Sequence, residues 1–216
     1  MATALGRRVG VALALALLPA AAQAAVLDFR LTFDGTGTTI PGTRNVPLVT
    51  IENLGDGQIE SFELTIGDTA FNFDGVYQLS DPAGGTSTIE VGDDLIFGNT
   101  SPVFDSIRLG FTGFDRGEQV SFGLDIDDDS GAVQQDFARV LFDNGDIDNA
   151  VATVVFGGFR SGKRVPVALT LGDGSDIGGL ASFRSQVEAA VPLPGTLPLA
   201  LAGLAGLGFL ARRRTD

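Results

Sequence analysis

Between residues 25 and 190 the apolar residues recur at every second position in short runs, and each run is cut by Gly, Asp, Asn or Pro. In Phe122-Gly123-Leu124-Asp125-Ile126-Asp127 the large apolar side chains fall on alternate positions. Successive side chains of an extended chain point to opposite faces, so such a run buries one face of a sheet. A helix would need its apolar positions three and four residues apart. Runs of the extended kind fall at 26–33, 46–51, 61–66, 75–79, 87–91, 95–97, 106–111, 119–127, 137–142, 150–156, 165–171 and 181–189. Only the last also admits a helical reading. Short strands with turn residues between them predict an all-β, antiparallel β-sandwich of jelly-roll kind. Asn144-Gly145 supplies the positive φ angles of a tight turn, which predicts a hairpin between 138–142 and 147–155. Phe62, Phe71, Phe73, Phe104, Phe111, Phe114, Phe122, Phe137, Phe142 and Phe156 are the expected core aromatics.

The chain contains neither cysteine nor histidine. That excludes Cys-His and Ser-His-Asp nucleophilic catalysis, structural zinc of the usual kind, and haem or iron–sulfur ligation. Carboxylate, lysine and hydroxyl chemistry remain. Residues 25–190 carry nine basic against 26 acidic residues, a net charge of −17. Nucleic acid and anionic lipid would be repelled by such a body. At about 165 residues it is the length of one ordinary domain, with room for a substantial core.

The densest chemistry lies at the end of the 119–127 run. Alternation places Asp125 and Asp127 on the face opposite Phe122, Leu124 and Ile126, with Asp129 following in the turn. Carboxylates aligned on one strand face repel, and a hard divalent cation taking six to eight oxygen ligands neutralises them, so calcium is the expected ligand. Asp136 stands eleven residues after Asp125, where a calcium loop of the Asp-x-Asp-x-Asp kind places its last ligand. The glycine at 131 comes one position late and no helices flank the segment, so the expectation is a calcium turn of a β-sandwich, not an EF-hand. The alternative is a solvated acidic turn. A second acidic turn, Asp143, Asp146 and Asp148, would lie near the first if 137–142 were a strand beside 119–127. Arg160, Lys163 and Arg164 form the body's one basic cluster, which reads either as an ordinary turn or as a contact for acidic polysaccharide.

Both ends read as address labels. Arg7 and Arg8 precede an apolar run at 9–18, and Ala22-Gln23-Ala24 has the small-x-small form of a cleavage site before Ala25. Residues 1–24 are therefore expected to be a secretory signal peptide. At the other end Val191, Pro192, Leu193, Pro194 and Gly195 precede an uncharged stretch at 197–211, and Arg212, Arg213 and Arg214 follow. With its flank that stretch approaches the ~20 residues a helix needs to cross a hydrocarbon core. The three arginines place the C-terminus in the cytoplasm and the body on the far side.

The order of short proline motif, apolar helix and basic stop over 191–216 resembles the C-terminal sorting signal of the PEP-CTERM class, in its VPLPA variant; Gly195 stands where that variant has alanine. The resemblance implies an exported protein anchored in the inner membrane during sorting, recognised by an exosortase-type processing enzyme, and delivered to the cell surface or outside it. Residues 104–129 look like the body of exported proteins that carry such tails. Three functions fit. The first is a surface or extracellular-matrix protein, calcium-stabilised and binding extracellular polysaccharide. The second is a glycoside hydrolase or lyase working through a carboxylate pair. The third is a purely structural matrix component. The first needs no catalytic residue and accounts for both end signals and for the acidity.

Overall fold

The structure is a computed structural model and describes residues 24–36, 46–89, 104–130, 135–142, 145, 147–172 and 179–190. Its strands are β1 (Ala24–Asp34), β2 (Leu48–Asn53), β3 (Gln58–Thr65), β4 (Phe71–Tyr77), β5 (Thr86–Ile89), β6 (Ser106–Phe114), β7 (Gln119–Asp128), β8 (Val151–Gly157), β9 (Val165–Thr170) and β10 (Leu180–Ala190). One helical turn, α1 (Phe137–Leu141), stands between β7 and β8. All pairings between these strands are antiparallel. Sheet A has the order β10-β1-β2-β7-β4 and sheet B the order β5-β6-β3-β8-β9.

Alternation dictates which faces meet. In β1 Leu27, Phe29, Leu31 and Phe33 are fully buried, as are Val120, Phe122, Leu124 and Ile126 in β7. From sheet B come Ile59, Phe62 and Leu64 of β3, Ile107 and Leu109 of β6, and Val154 and Phe156 of β8. These residues belong to one apolar cluster shared by both sheets. Phe29 of β1 meets Phe156 of β8 at 6.5 Å between ring centroids, and Phe62 of β3 meets Phe122 of β7 at 6.2 Å. Of the ten expected core aromatics, nine are buried, and Phe104 packs half-buried against the cluster.

The expected strand at 137–142 is a helix instead. Asp136 caps it, its Oδ1 accepting from the Ala138 amide at 3.0 Å, and the Phe142 amide donates to the Ala138 carbonyl at 3.1 Å. Phe137, Ala138, Val140 and Leu141 are buried while Arg139 faces solvent, a helical spacing that six residues with five apolar members do not distinguish from a strand. Phe137 and Phe142 close one end of the core against Phe33, at 6.1 and 6.5 Å. The expected hairpin across Asn144-Gly145 therefore does not form. β8 pairs with β3 and β9. The premise that would bring the second acidic turn beside the first falls with it, and Asp143 and Asp146 lie outside the described residues.

Residues 181–189 are a strand, not a helix. β10 pairs with β1 over an unbroken register from Ala24↔Ala190 to Asp34↔Leu180. The run at 95–97 and the sorting motif Val191 to Gly195, with everything after it, lie outside the described residues, as does Ala22. Among the described residues no helix is long and apolar enough to cross a membrane.

Candidate functional site

β7 presents its acidic end as alternation requires: Ile126 is buried inward, while Asp125 and Asp127 are half-buried on the outer face of sheet A. The neighbouring edge strand β4 sets what they meet. Asn72 stands opposite Asp127 and Gly75 opposite Asp125, after a register shift between Phe73 and Gly75. A Cβ at Gly75 would lie 2.5 Å from the Tyr77 hydroxyl, so the missing side chain is what lets the Tyr77 ring fold back over β4. The hydroxyl then donates to Asp125 Oδ2 at 2.8 Å.

Asn72 Nδ2 donates to Asp129 Oδ1 at 2.9 Å, and the Asp129 amide donates to the Ala70 carbonyl at 3.0 Å. Asp128 accepts from the Ser130 hydroxyl and, at 3.2 Å, from Gln135 Nε2. Asp125 and Asp127 thus share a strand face and Asp129 is tied to it through Asn72, whereas Asp136 commits a carboxylate oxygen to its helix cap. Among the described residues no group of three or more carboxylates stands together in a way that would hold a metal ion. The neutral partners Asn72 and Tyr77 escaped the sequence reading because they come from a strand some fifty residues earlier. Their one signal is polar residues alternating with Phe71, Phe73 and Val76.

The outer face of sheet B carries a different chemistry. Two shallow depressions of about 370 and 330 Å³ adjoin at Arg164 and together run over all five strands. In the first, Arg108 Nη2 of β6 lies 2.6 Å from Glu63 Oε2 of β3, with the hydroxyls of Ser61 and Thr153 beside them. In the second, Arg164 Nε lies 2.5 Å from Glu60 Oε2, and Thr86, Thr88 and Thr112 add hydroxyls. Two cations and two carboxylates make this face locally balanced on an acidic body.

The expected basic cluster is thereby divided. Gly162, at φ +68°, turns the chain with its amide on the Phe159 carbonyl at 2.8 Å. Arg164 is drawn onto Glu60, and Arg160 and Lys163 remain exposed on the turn.

Sheet A carries its own ion pairs. Arg184 of β10 holds the nearly buried Asp28 of β1 with two hydrogen bonds, its Nε at 2.9 Å. That hydrogen bond and the charge of Asp28 raise the Arg184 guanidinium above its ordinary pKa. Arg30 pairs with Glu52 at 2.9 Å.

No family model, no curated protein and no solved structure matches this chain.

Proposed function

We propose that the chain is an exported surface or extracellular-matrix protein whose body binds extracellular polysaccharide across the outer face of sheet B. Residues 1–24 direct export and are removed before Ala25. Residues 191–216 form the sorting tail: the motif Val191 to Gly195 for an exosortase-type enzyme, the membrane helix, and the stop at Arg212 to Arg214. The body at 25–190 is a jelly-roll-like β-sandwich. In support of that topology, β2 pairs with β7 and β3 with β6, as the two arms of one long rolled hairpin would.

The observation that carries the polysaccharide reading is the run of guanidinium–carboxylate pairs and hydroxyls over sheet B. A sugar presents neighbouring hydroxyls that donate and accept together. A guanidinium beside a carboxylate answers both needs from one rigid fork. With no tryptophan and one tyrosine, stacking contributes little, so recognition is polar. The body's acidity disfavours polyanions, which points to a neutral or weakly charged glycan and away from nucleic acid. Binding suits this face better than catalysis, because both glutamates are already engaged by arginines. Calcium at the β4–β7 end belongs to the same reading, as a cation that steadies the body.

The test is retention of the protein on immobilised neutral polysaccharides, with Arg108→Ala and Arg164→Ala variants. Wild-type retention lost in both variants, with melting temperatures within a few degrees of wild type, is the expected outcome. Equal behaviour of all three proteins on every polysaccharide would leave the purely structural role.

A further inference from the structure

We propose that a calcium-sized divalent cation binds at the outer edge of sheet A between β4 and β7, with Asn72 Oδ1 as its neutral ligand and Asp127 and Asp129 as its charged ones. This rests on the calcium part of the function proposed above and redraws its ligand set. Asp136, which the spacing of the acidic segment nominates, takes no part.

The argument starts from one atom. Asn72 is 1% exposed, and its Oδ1 is the one buried side-chain acceptor with no hydrogen-bond partner among the described residues. A carboxamide oxygen has two lone pairs, and burying it unsatisfied is costly enough that folds rarely leave one so. The same fold shows what a fully served asparagine looks like. Asn53, equally buried, donates to the carbonyls of Gly57 and Phe114 at 2.8 and 3.0 Å and accepts from the Gly55 amide at 3.0 Å.

The place of the orphan oxygen gives it meaning. Asn72 stands across the ladder from Asp127, on the same sheet face, and its own Nδ2 is fixed to Asp129 at 2.9 Å. The Oδ1, on the same carbon as that Nδ2, is therefore held within a few ångströms of the Asp129 carboxylate. A neutral oxygen with carboxylates at neighbouring positions of one strand edge is the kind of donor set that hard cations take, and oxygen-rich calcium sites mix carboxylates, carboxamide carbonyls and waters. Asp129 is exposed and borders an open depression of about 520 Å³, through which water reaches its side of the edge.

Further charged groups stand around the edge. Asp125 is held by Tyr77, Asp128 by Ser130 and Gln135, and Arg139 of α1 lines the depression beside Asp128 and Asp129. A cation at this edge would serve the Asn72 oxygen while lying against the strand positions of Asp127 and Asp129.

The chain supplies its own probe. It has no tryptophan, and its single tyrosine, Tyr77, is hydrogen-bonded to Asp125 beside the site. Terbium, an oxygen-seeking stand-in for calcium, emits under tyrosine excitation only when bound close to the ring. The experiment uses the full chain in mild detergent, stripped with chelator, titrated with terbium and back-titrated with calcium. Expected are sensitised emission in wild type that calcium displaces, at least about tenfold weaker calcium affinity in Asn72→Ala and Asp127→Asn, near-wild-type affinity in Asn72→Asp, and unchanged affinity in Asp136→Asn. Asn72→Asp keeps an oxygen at the position and guards against misfolding of the alanine variant.

Absence of both sensitised emission and any calcium-induced rise in melting temperature would sink the calcium reading and this site with it. Calcium binding that survives Asn72→Ala, or that Asp136→Asn abolishes, would keep the calcium reading and overturn the ligand set proposed here.

Discussion

Asn53 and Asn72 are the same residue in the same burial class, and the difference between them is where their hydrogen bonds go. Asn53 ties the end of β2 to the turn before β3 and to the end of β6, and its own amide and carbonyl join Glu118 and Gly117. It is a clamp at which four chain segments meet. Replacing it by alanine removes three side-chain hydrogen bonds and strands two carbonyls and an amide, so Asn53→Ala is expected to cost about 2–4 kcal/mol in denaturant unfolding. A loss below about 0.5 kcal/mol would show that water replaces the side chain. Neither asparagine was legible as structural from its neighbours, because Asn53 lies 61 residues from Phe114 and Asn72 57 residues from Asp129. The carboxylates were legible, since their common face follows from period-two alternation within β7 alone. What they meet depends on β4, and the register of β4 is set by a bulge that no local pattern announces.

At the scale of elements, two features invite experiment for different reasons. The sequence of α1 admits a strand as well as a helix because a short apolar run fits either period, yet Asp136 two residues before Ala138 is a cap signal. Asp136→Ala is expected to cost about 1 kcal/mol, the usual worth of such a cap, and to leave calcium affinity unchanged. A cap loss and a ligand loss are separated by measuring the melt with and without calcium. The β1–β10 pairing is pinned by Arg184 on Asp28. The Arg184 pKa is raised in the fold, so its contribution is complete below the ordinary arginine pKa and fades only as pH climbs through the raised one. No titration of this group is therefore felt across the neutral range. Arg184→Gln is expected to lower the melting temperature by the same amount at roughly pH 6 and pH 9, since arginine stays charged at both. A difference that shrinks between them would show that another group governs the pair.

For the whole molecule the governing quantity is charge. Twenty-six acidic residues against nine basic ones over 25–190 oppose compaction through self-repulsion, which the ion pairs at Glu52, Glu60, Glu63 and Asp28 relieve only locally. Two remedies exist, and they leave different signatures. Screening by salt acts on all charges and shortens the interaction range from about 30 Å at 0.01 M to about 3 Å at 1 M, whatever the cation. Site binding acts at β4–β7, saturates, and depends on the cation. Melting temperature is therefore expected to rise smoothly with sodium chloride, and at equal ionic strength to rise further with calcium chloride, the extra increment growing with the logarithm of calcium above its dissociation constant. Asn72→Ala should keep the sodium response and lose the calcium increment. Identical curves for the two salts would assign the acidity to general solvation in a salty medium, and then water alone would serve the Asn72 oxygen at the strand edge.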